Sequence, residues 1–99
     1  MIHITITTTP NTQKIEIKGH SNTGDEPCAR VTSAFEMLAN ILYKDRHQLE
    51  QRGGYSLLVT TITKENKEQL KMAKAYFNHL QVHYQKTIQI ENKEVLNYE

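Results

Sequence analysis

Cys28 and His20 carry the strongest chemical signal in the sequence. Cys28 is the single cysteine of the chain, and His20 precedes it across a short polar loop that contains Gly24. A thiolate is a good nucleophile, and a neighbouring imidazole can accept the thiol proton and later return it to a leaving group. The two residues therefore indicate nucleophilic thiol chemistry, with Cys28 as the nucleophile and His20 as the base.

The residues around Cys28 predict that it lies in the first turn of a helix. Pro27 is well tolerated there, because its missing N–H would have no intrahelical partner. Either Asp25 or Glu26 could cap that helix by accepting hydrogen bonds from its first amides. Unpaired amides and the helix dipole stabilise an anion at a helix N-terminus, which favours the thiolate form of a cysteine.

The same residues also have simpler interpretations. Cys28 could be a small buried apolar side chain, and His20 could be an ordinary loop residue. Gly24 could supply a positive φ or room for a substrate backbone, or be only a turn glycine. A third catalytic group that orients the imidazole could be Asn22, Asp25 or Glu26. For the two acidic residues, helix capping is the better explanation. A dyad of cysteine and histidine is therefore the default hypothesis.

Other motifs in the sequence carry weaker signals. His79 and His83 stand four residues apart in a predicted helix, a spacing that can hold zinc. No third ligand lies at a telling distance and the segment is rich in lysine, so a solvated helix face is favoured. Gly53-Gly54 matches no phosphate-binding loop and is interpreted as a helix stop and turn. The sequence predicts no metal and no other cofactor.

The composition excludes several classes of protein. With 12 basic and 11 acidic residues and a net charge of +1, the chain lacks the basic surface of a nucleic-acid-binding protein. No apolar run approaches the ~20 residues of a membrane span, and the first residues do not form a secretory signal. A single cysteine fits a reducing cytoplasm. The length of 99 residues indicates one domain spanning residues 1–99.

Hydrophobic periodicity predicts the elements that position this pair. Isoleucines alternate at positions 2, 4 and 6 and again at 15 and 17, which predicts two strands joined as an antiparallel hairpin. Helical spacing runs from Pro27 to about Arg46, and a second helix is predicted over residues 66–85. β-branched residues favour a central strand over Tyr55–Thr63. A last strand is predicted over Thr87–Glu91, with an extension through 95–96 past a kink at 92–93.

The predicted fold is therefore α+β with the order β-β-α-β-α-β. The economical packing is a four-stranded sheet with two helices packed on one face. The first helix should bury one apolar stripe, composed of Cys28, Val31, Ala34, Phe35, Leu38, Ile41 and Leu42. The second should bury another, composed of Leu70, Ala73, Phe77, Leu80 and Tyr84.

The residues around the cysteine resemble the motif of a known family, the ribosomal-processing cysteine protease (Prp) family of small bacterial proteins. The resemblance rests on a Gly-His pair that ends a strand and on a pattern that opens a helix, Gly19-His20 and Asp25-x-x-Cys28-Ala29-x-Val31-Thr32. The N-terminal hairpin, both helices and the length agree along nearly the whole chain. The loop between His20 and Cys28 is shorter than is usual in the family, and Pro27 replaces an apolar residue. These departures indicate a divergent member, for which a phage-encoded origin is one hypothesis.

The resemblance implies a cytoplasmic, homodimeric cysteine endopeptidase. Its nucleophile would be Cys28 and its base His20, with Asp25 as the loop aspartate and Gly19 as the glycine that shapes the turn. Its substrate would be a short N-terminal extension of a ribosomal large-subunit protein, the twenty-seventh in the usual series, or of a phage structural protein. Two alternatives belong to other classes, a catalytically silent relative that binds a peptide or protein and a redox-responsive thiol protein.

Overall fold

The computed structural model describes residues 1–21 and 24–95 and contains five strands and two helices within these ranges. The elements are β1 (Ile2–Thr8), β2 (Thr12–Gly19), α1 (Glu26–Ile41), β3 (Arg46–Arg52), β4 (Tyr55–Thr61), α2 (Lys67–His83) and β5 (Ile88–Glu94). The strands form one sheet in the order β3-β4-β2-β1-β5. All neighbouring pairs are antiparallel except β1 and β5, which run parallel.

The predicted N-terminal hairpin is confirmed. Ile4 pairs with Ile17 and Ile6 with Ile15, so the isoleucines of β1 and β2 share one face of the sheet. These side chains are buried, and they form one hydrophobic cluster with residues of both helices and of the neighbouring strands. The alternation of apolar and polar residues fixes this register, because a slip by one residue would turn the isoleucines to the other face.

The predicted apolar stripes of the two helices are largely buried. From α1 the core receives Val31, Ala34, Phe35, Leu38 and the adjoining Leu42, and from α2 it receives Leu70, Phe77 and Leu80. Ala73 and Tyr84 are partly buried against the same cluster. The expectation for Ile41 was wrong, because its side chain is 48% exposed at the last turn of α1. The helix also ends before Arg46, which begins the next strand.

The prediction of a four-stranded sheet was wrong, because β3 adds a fifth strand. Six of its seven residues are polar or charged, and its central Leu49 is 40% exposed. Among the described residues only β4 flanks β3, so β3 is an edge strand with little need for apolar side chains. Charged residues on an edge strand also discourage pairing with other chains. Gly53 and Gly54 form the turn of the β3–β4 hairpin and do not end a helix.

The last strand differs slightly from its prediction. β5 passes through Asn92 and Lys93 without interruption, in register with Ile6 and Thr7 of β1. The backbone N–H of Val95 donates to the carbonyl of Thr8, whereas residue 96 lies outside the described residues. Within the described residues, no helix is long and apolar enough to cross a membrane.

Candidate active site

A cavity of about 330 Å³ opens where β2 ends, α1 begins and the β3–β4 hairpin turns. His20 and Cys28 both line it, as the sequence predicts. The β3–β4 hairpin supplies a further side of the cavity, through Gln51, Arg52, Gly53, Gly54 and Tyr55. The first turns of α1 add Val31 and Thr32. Ile2 of β1 also lines the cavity, so four separate segments of the chain meet around one thiol and one imidazole.

Cys28 lies at the third residue of α1, in the first turn. The first N–H of the helical ladder belongs to Ala29, which donates to the carbonyl of Asp25 at 2.9 Å. The N–H of Cys28 precedes this bond, so it belongs to the amides that a helix start leaves without an intrahelical acceptor. The Cys28 Sγ is half-buried and accepts a hydrogen bond from the backbone N–H of Ser21 at 3.1 Å. A backbone donor is therefore directed at the sulfur.

His20 follows directly on the end of β2, and its backbone is held from two sides. Its carbonyl accepts a hydrogen bond from the ammonium of Met1 at 2.7 Å. The preceding N–H, that of Gly19, donates to the carbonyl of Gly54 at 3.0 Å. The side chain of His20 is exposed, so solvent and a bound molecule can both reach the imidazole.

The acidic residues before Cys28 do not act as expected. Asp25 occupies the N-cap position, but its side chain makes no capping hydrogen bond. Glu26 is engaged elsewhere: it accepts a hydrogen bond from the Tyr84 hydroxyl and pairs with Arg30 at 3.5 Å. These two contacts, the hydroxyl first, hold the pKa of Glu26 below its ordinary value. Side-chain capping was therefore the wrong interpretation of both residues, and neither of them lines the cavity. Asn22 lies outside the described residues.

Gly19 and Gly24 both adopt positive φ angles, of +102° and +118°. A Cβ at Gly19 would lie 2.1 Å from the carbonyl oxygen of Met1, whereas a Cβ at Gly24 would meet nothing within 4 Å. Gly19 is thus required both by its backbone angle and by the close approach of the Met1 backbone, which directly precedes β1. For Gly24, the prediction of a positive φ agrees with the structure.

The contribution of the β3–β4 hairpin to the cavity was missed. Arg52 lies over the ring of Tyr55, 4.4 Å from its centroid, and the Tyr55 hydroxyl donates to Glu16 at 2.8 Å. These contacts fix an aromatic and a cationic group at the rim. A Gly-Gly pair followed by a β-branched strand is a hairpin signal. This signal predicts the β3–β4 hairpin but not its position beside β2.

The two histidines of α2 form no metal cluster. The rings of His79 and His83 stack with their centroids 6.3 Å apart, and both side chains are exposed. Among the residues that the structure describes, no three histidine, cysteine or acidic side chains come together as a candidate metal site. The surface interpretation of this pair agrees with its exposure.

Fold and site together define a small α+β domain with a cysteine and a histidine in one cleft. No protein-family model and no curated protein sequence matches the chain. Solved structures do match. One of them is the crystal structure of Prp, an essential ribosomal processing protease from S. aureus, in complex with a covalently linked product peptide. This chain is similar to it with a TM-score of 0.81 and 17% sequence identity. The match covers 94% of this chain and 100% of the protease.

Two further solved structures are similar to the chain in fold. The S. aureus protease in complex with a substrate peptide matches at a TM-score of 0.77 and 17% identity, with the same coverage. The protein SMU.848 from Streptococcus mutans matches at a TM-score of 0.68 and 19% identity, covering 96% of each chain. The resemblance to the Prp family expected from the sequence is confirmed at the level of the fold.

Proposed function

We propose that the chain is a cysteine endopeptidase with Cys28 as its nucleophile and His20 as its base. The observation that carries this proposal is the meeting of the two side chains in one cavity, with a backbone N–H directed at the sulfur. A nucleophile, a base and nearby donors are the parts that acyl transfer needs. The similarity in fold to a protease in peptide complexes supports the same assignment. The proposed unit of activity is residues 1–99 as one domain.

The proposed reaction has two halves. In the first, His20 accepts the proton of Cys28, and the thiolate attacks the carbonyl carbon of the scissile peptide bond. The N–H groups at the start of α1 are the available donors for the resulting oxyanion. His20 then gives its proton to the leaving nitrogen, the C–N bond breaks, and a thioester to Cys28 remains. In the second half, His20 takes a proton from water, and the resulting hydroxide attacks the thioester carbonyl. The C–S bond then breaks, the carboxylic acid product leaves, and His20 returns its proton to the Cys28 sulfur.

The proposed substrate is a short N-terminal extension of a larger protein. Prp of S. aureus is a ribosomal processing protease that has been crystallised with substrate and product peptides. By analogy, we propose the N-terminal extension of a ribosomal large-subunit protein, the twenty-seventh in the usual series, or of a phage structural protein. The reaction is proposed to take place in the cytoplasm, with the chain acting as a homodimer. Gly19 and Asp25 are proposed to shape the loop that admits the peptide.

Peptide cleavage tests the proposal directly. Synthetic peptides copied from such extensions are incubated with the purified protein, and the products are mapped by mass spectrometry. We expect a single cut in the parent protein and its loss in Cys28→Ala, Cys28→Ser and His20→Ala. His79→Ala is the matched control, because it removes an exposed histidine outside the cavity and should leave the rate unchanged.

Binding measurements separate the peptidase from the competing functions. Fluorescence anisotropy with a labelled peptide should show binding to Cys28→Ala that is comparable to binding by the parent. Binding without cleavage by the parent would contradict the peptidase assignment and identify a peptide-binding protein. Reversible oxidation of Cys28 by peroxide, with neither binding nor cleavage, would instead identify a redox-responsive thiol.

A further inference from the structure

The turn of the β3–β4 hairpin makes an unusually close approach to His20. Gly54 adopts a φ of +73°, and a Cβ built on it would lie 2.7 Å from Nε2 of the His20 ring. The same atom would lie 3.3 Å from Cε1 and 3.4 Å from Cδ2. The Nε2 edge of the imidazole therefore packs toward the Cα of Gly54, in the space that a side chain would fill.

The neighbouring glycine has none of these properties. Gly53 has no positive φ, and a Cβ on it would meet nothing within 4 Å. Both glycines belong to the same two-residue turn. Only the second of them also accepts a main-chain hydrogen bond from the end of β2, from the N–H of Gly19. Gly54 therefore makes two contacts with this part of the chain: its carbonyl binds the backbone that precedes His20, and its Cα lies against the His20 ring.

We propose that Gly54 is a positioning residue for His20. Its missing Cβ provides the place in which the imidazole rests, beside the cavity that Cys28 also lines. A side chain at this position must push the ring away, and His20 is exposed, so the ring can swing out to solvent. The packing part of this proposal is independent of any activity, whereas its effect on turnover rests on the proposed peptidase function.

The two glycines of the turn provide a matched pair of substitutions. Gly54→Ala introduces both the contact with the ring and the strain of a left-handed backbone, whereas Gly53→Ala introduces neither. Gly54→Asn brings the same Cβ, but asparagine tolerates the left-handed region better than most residues. The asparagine variant therefore keeps the test informative if the alanine variant folds poorly.

A double-mutant cycle on thermal stability tests the contact itself. The Tm is measured for Gly54→Ala and Gly54→Asn in the parent protein and in a His20→Ala background. Without the ring the inserted Cβ has free space and only the strain of the left-handed backbone remains. Because the exposed ring can yield, the coupling should be small, and we expect the loss of Tm to be about 2–4 °C smaller in the His20→Ala background. Gly53→Ala should cause the same change in both backgrounds. Additivity of the changes at positions 20 and 54 would overturn the proposal.

Kinetics of peptide cleavage then test the consequence for catalysis. For Gly54→Asn we expect kcat to fall by roughly 10- to 100-fold, because a misplaced base cannot take the thiol proton. KM should change little, and the pH profile of kcat/KM should lose the limb that depends on the imidazole. Gly53 lines the same cavity, so Gly53→Ala controls for substrate contact at the turn, and an equal fall of kcat in that variant would refute a specific role for Gly54. If the stability cycle shows coupling but the parent protein cleaves no peptide, the peptidase function is refuted, whereas the contact between Gly54 and His20 is supported.

Discussion

Replacing Gly19 by alanine should disturb the end of the β1–β2 hairpin, and Gly24→Ala provides the control. Both residues have positive φ angles that a side chain adopts reluctantly, at a cost of about 1–3 kcal/mol each. Only at Gly19 would the new Cβ also meet backbone, 2.1 Å from the Met1 carbonyl oxygen. Forcing that backbone apart adds roughly 1–3 kcal/mol, by analogy with overpacked cores. Gly19→Ala should therefore be the less stable variant by about that difference.

Urea denaturation and thermal melting measure the difference between the two variants. For a domain of this size, each kcal/mol corresponds to about 4–8 °C in Tm, so Gly19→Ala should melt roughly 5–20 °C below Gly24→Ala. Peptide cleavage should fall more in Gly19→Ala than stability alone explains, because the residue precedes His20, the proposed base. Melting temperatures that agree within about 2 °C would refute the argument, since they would mean that Met1 yields without cost.

Three further substitutions test contacts elsewhere in the structure. The pKa of Glu26 is lowered first by the Tyr84 hydroxyl and then by Arg30. The stability that Glu26 contributes is therefore present at pH values above its ordinary pKa of 4.5, and it is lost as the pH falls through the lower pKa of the folded state. Glu26→Gln should therefore melt below the parent at pH 7 and converge with it once the pH falls below the folded-state pKa of Glu26. Asp25→Ala should cost less than about 0.5 kcal/mol in urea unfolding, because no capping bond is lost. Phe77→Ala should cost about 3–5 kcal/mol in the same assay, because its ring is fully buried.

The elements with strong periodicity were predictable from the sequence. The isoleucines of β1 and β2 and the apolar stripes of the helices gave correct faces, because burial on one side dictates their spacing. β3 was not predictable in this way, since an edge strand carries few apolar residues and is held by backbone pairing to β4. Its only sequence signal was the turn at Gly53-Gly54, and that signal was assigned to the end of a helix.

The candidate site was predictable in its chemistry but not in its surroundings. Cys28 and His20 stood out as residue types beside a helix start, and the fold brings them to one cavity. The capping interpretation of Asp25 and Glu26 failed because the hydrogen-bond partners available to a side chain depend on the tertiary structure. For Glu26 the hydrogen-bond partner is the hydroxyl of Tyr84, the residue that directly follows α2. Gly54 could not be connected to His20 without knowing that β3 exists.

The parallel pairing of β1 with β5 has a consequence for how the molecule reaches its native state. Ile2 lies beside Ile88 in the sheet, so β1 gains its second neighbouring strand only when a segment far along the chain joins it. Such distant pairing slows folding, because a large loop must close before the contact is gained. The residues that line the cavity all precede residue 57, so none of them comes from the segment that completes the sheet beside β1.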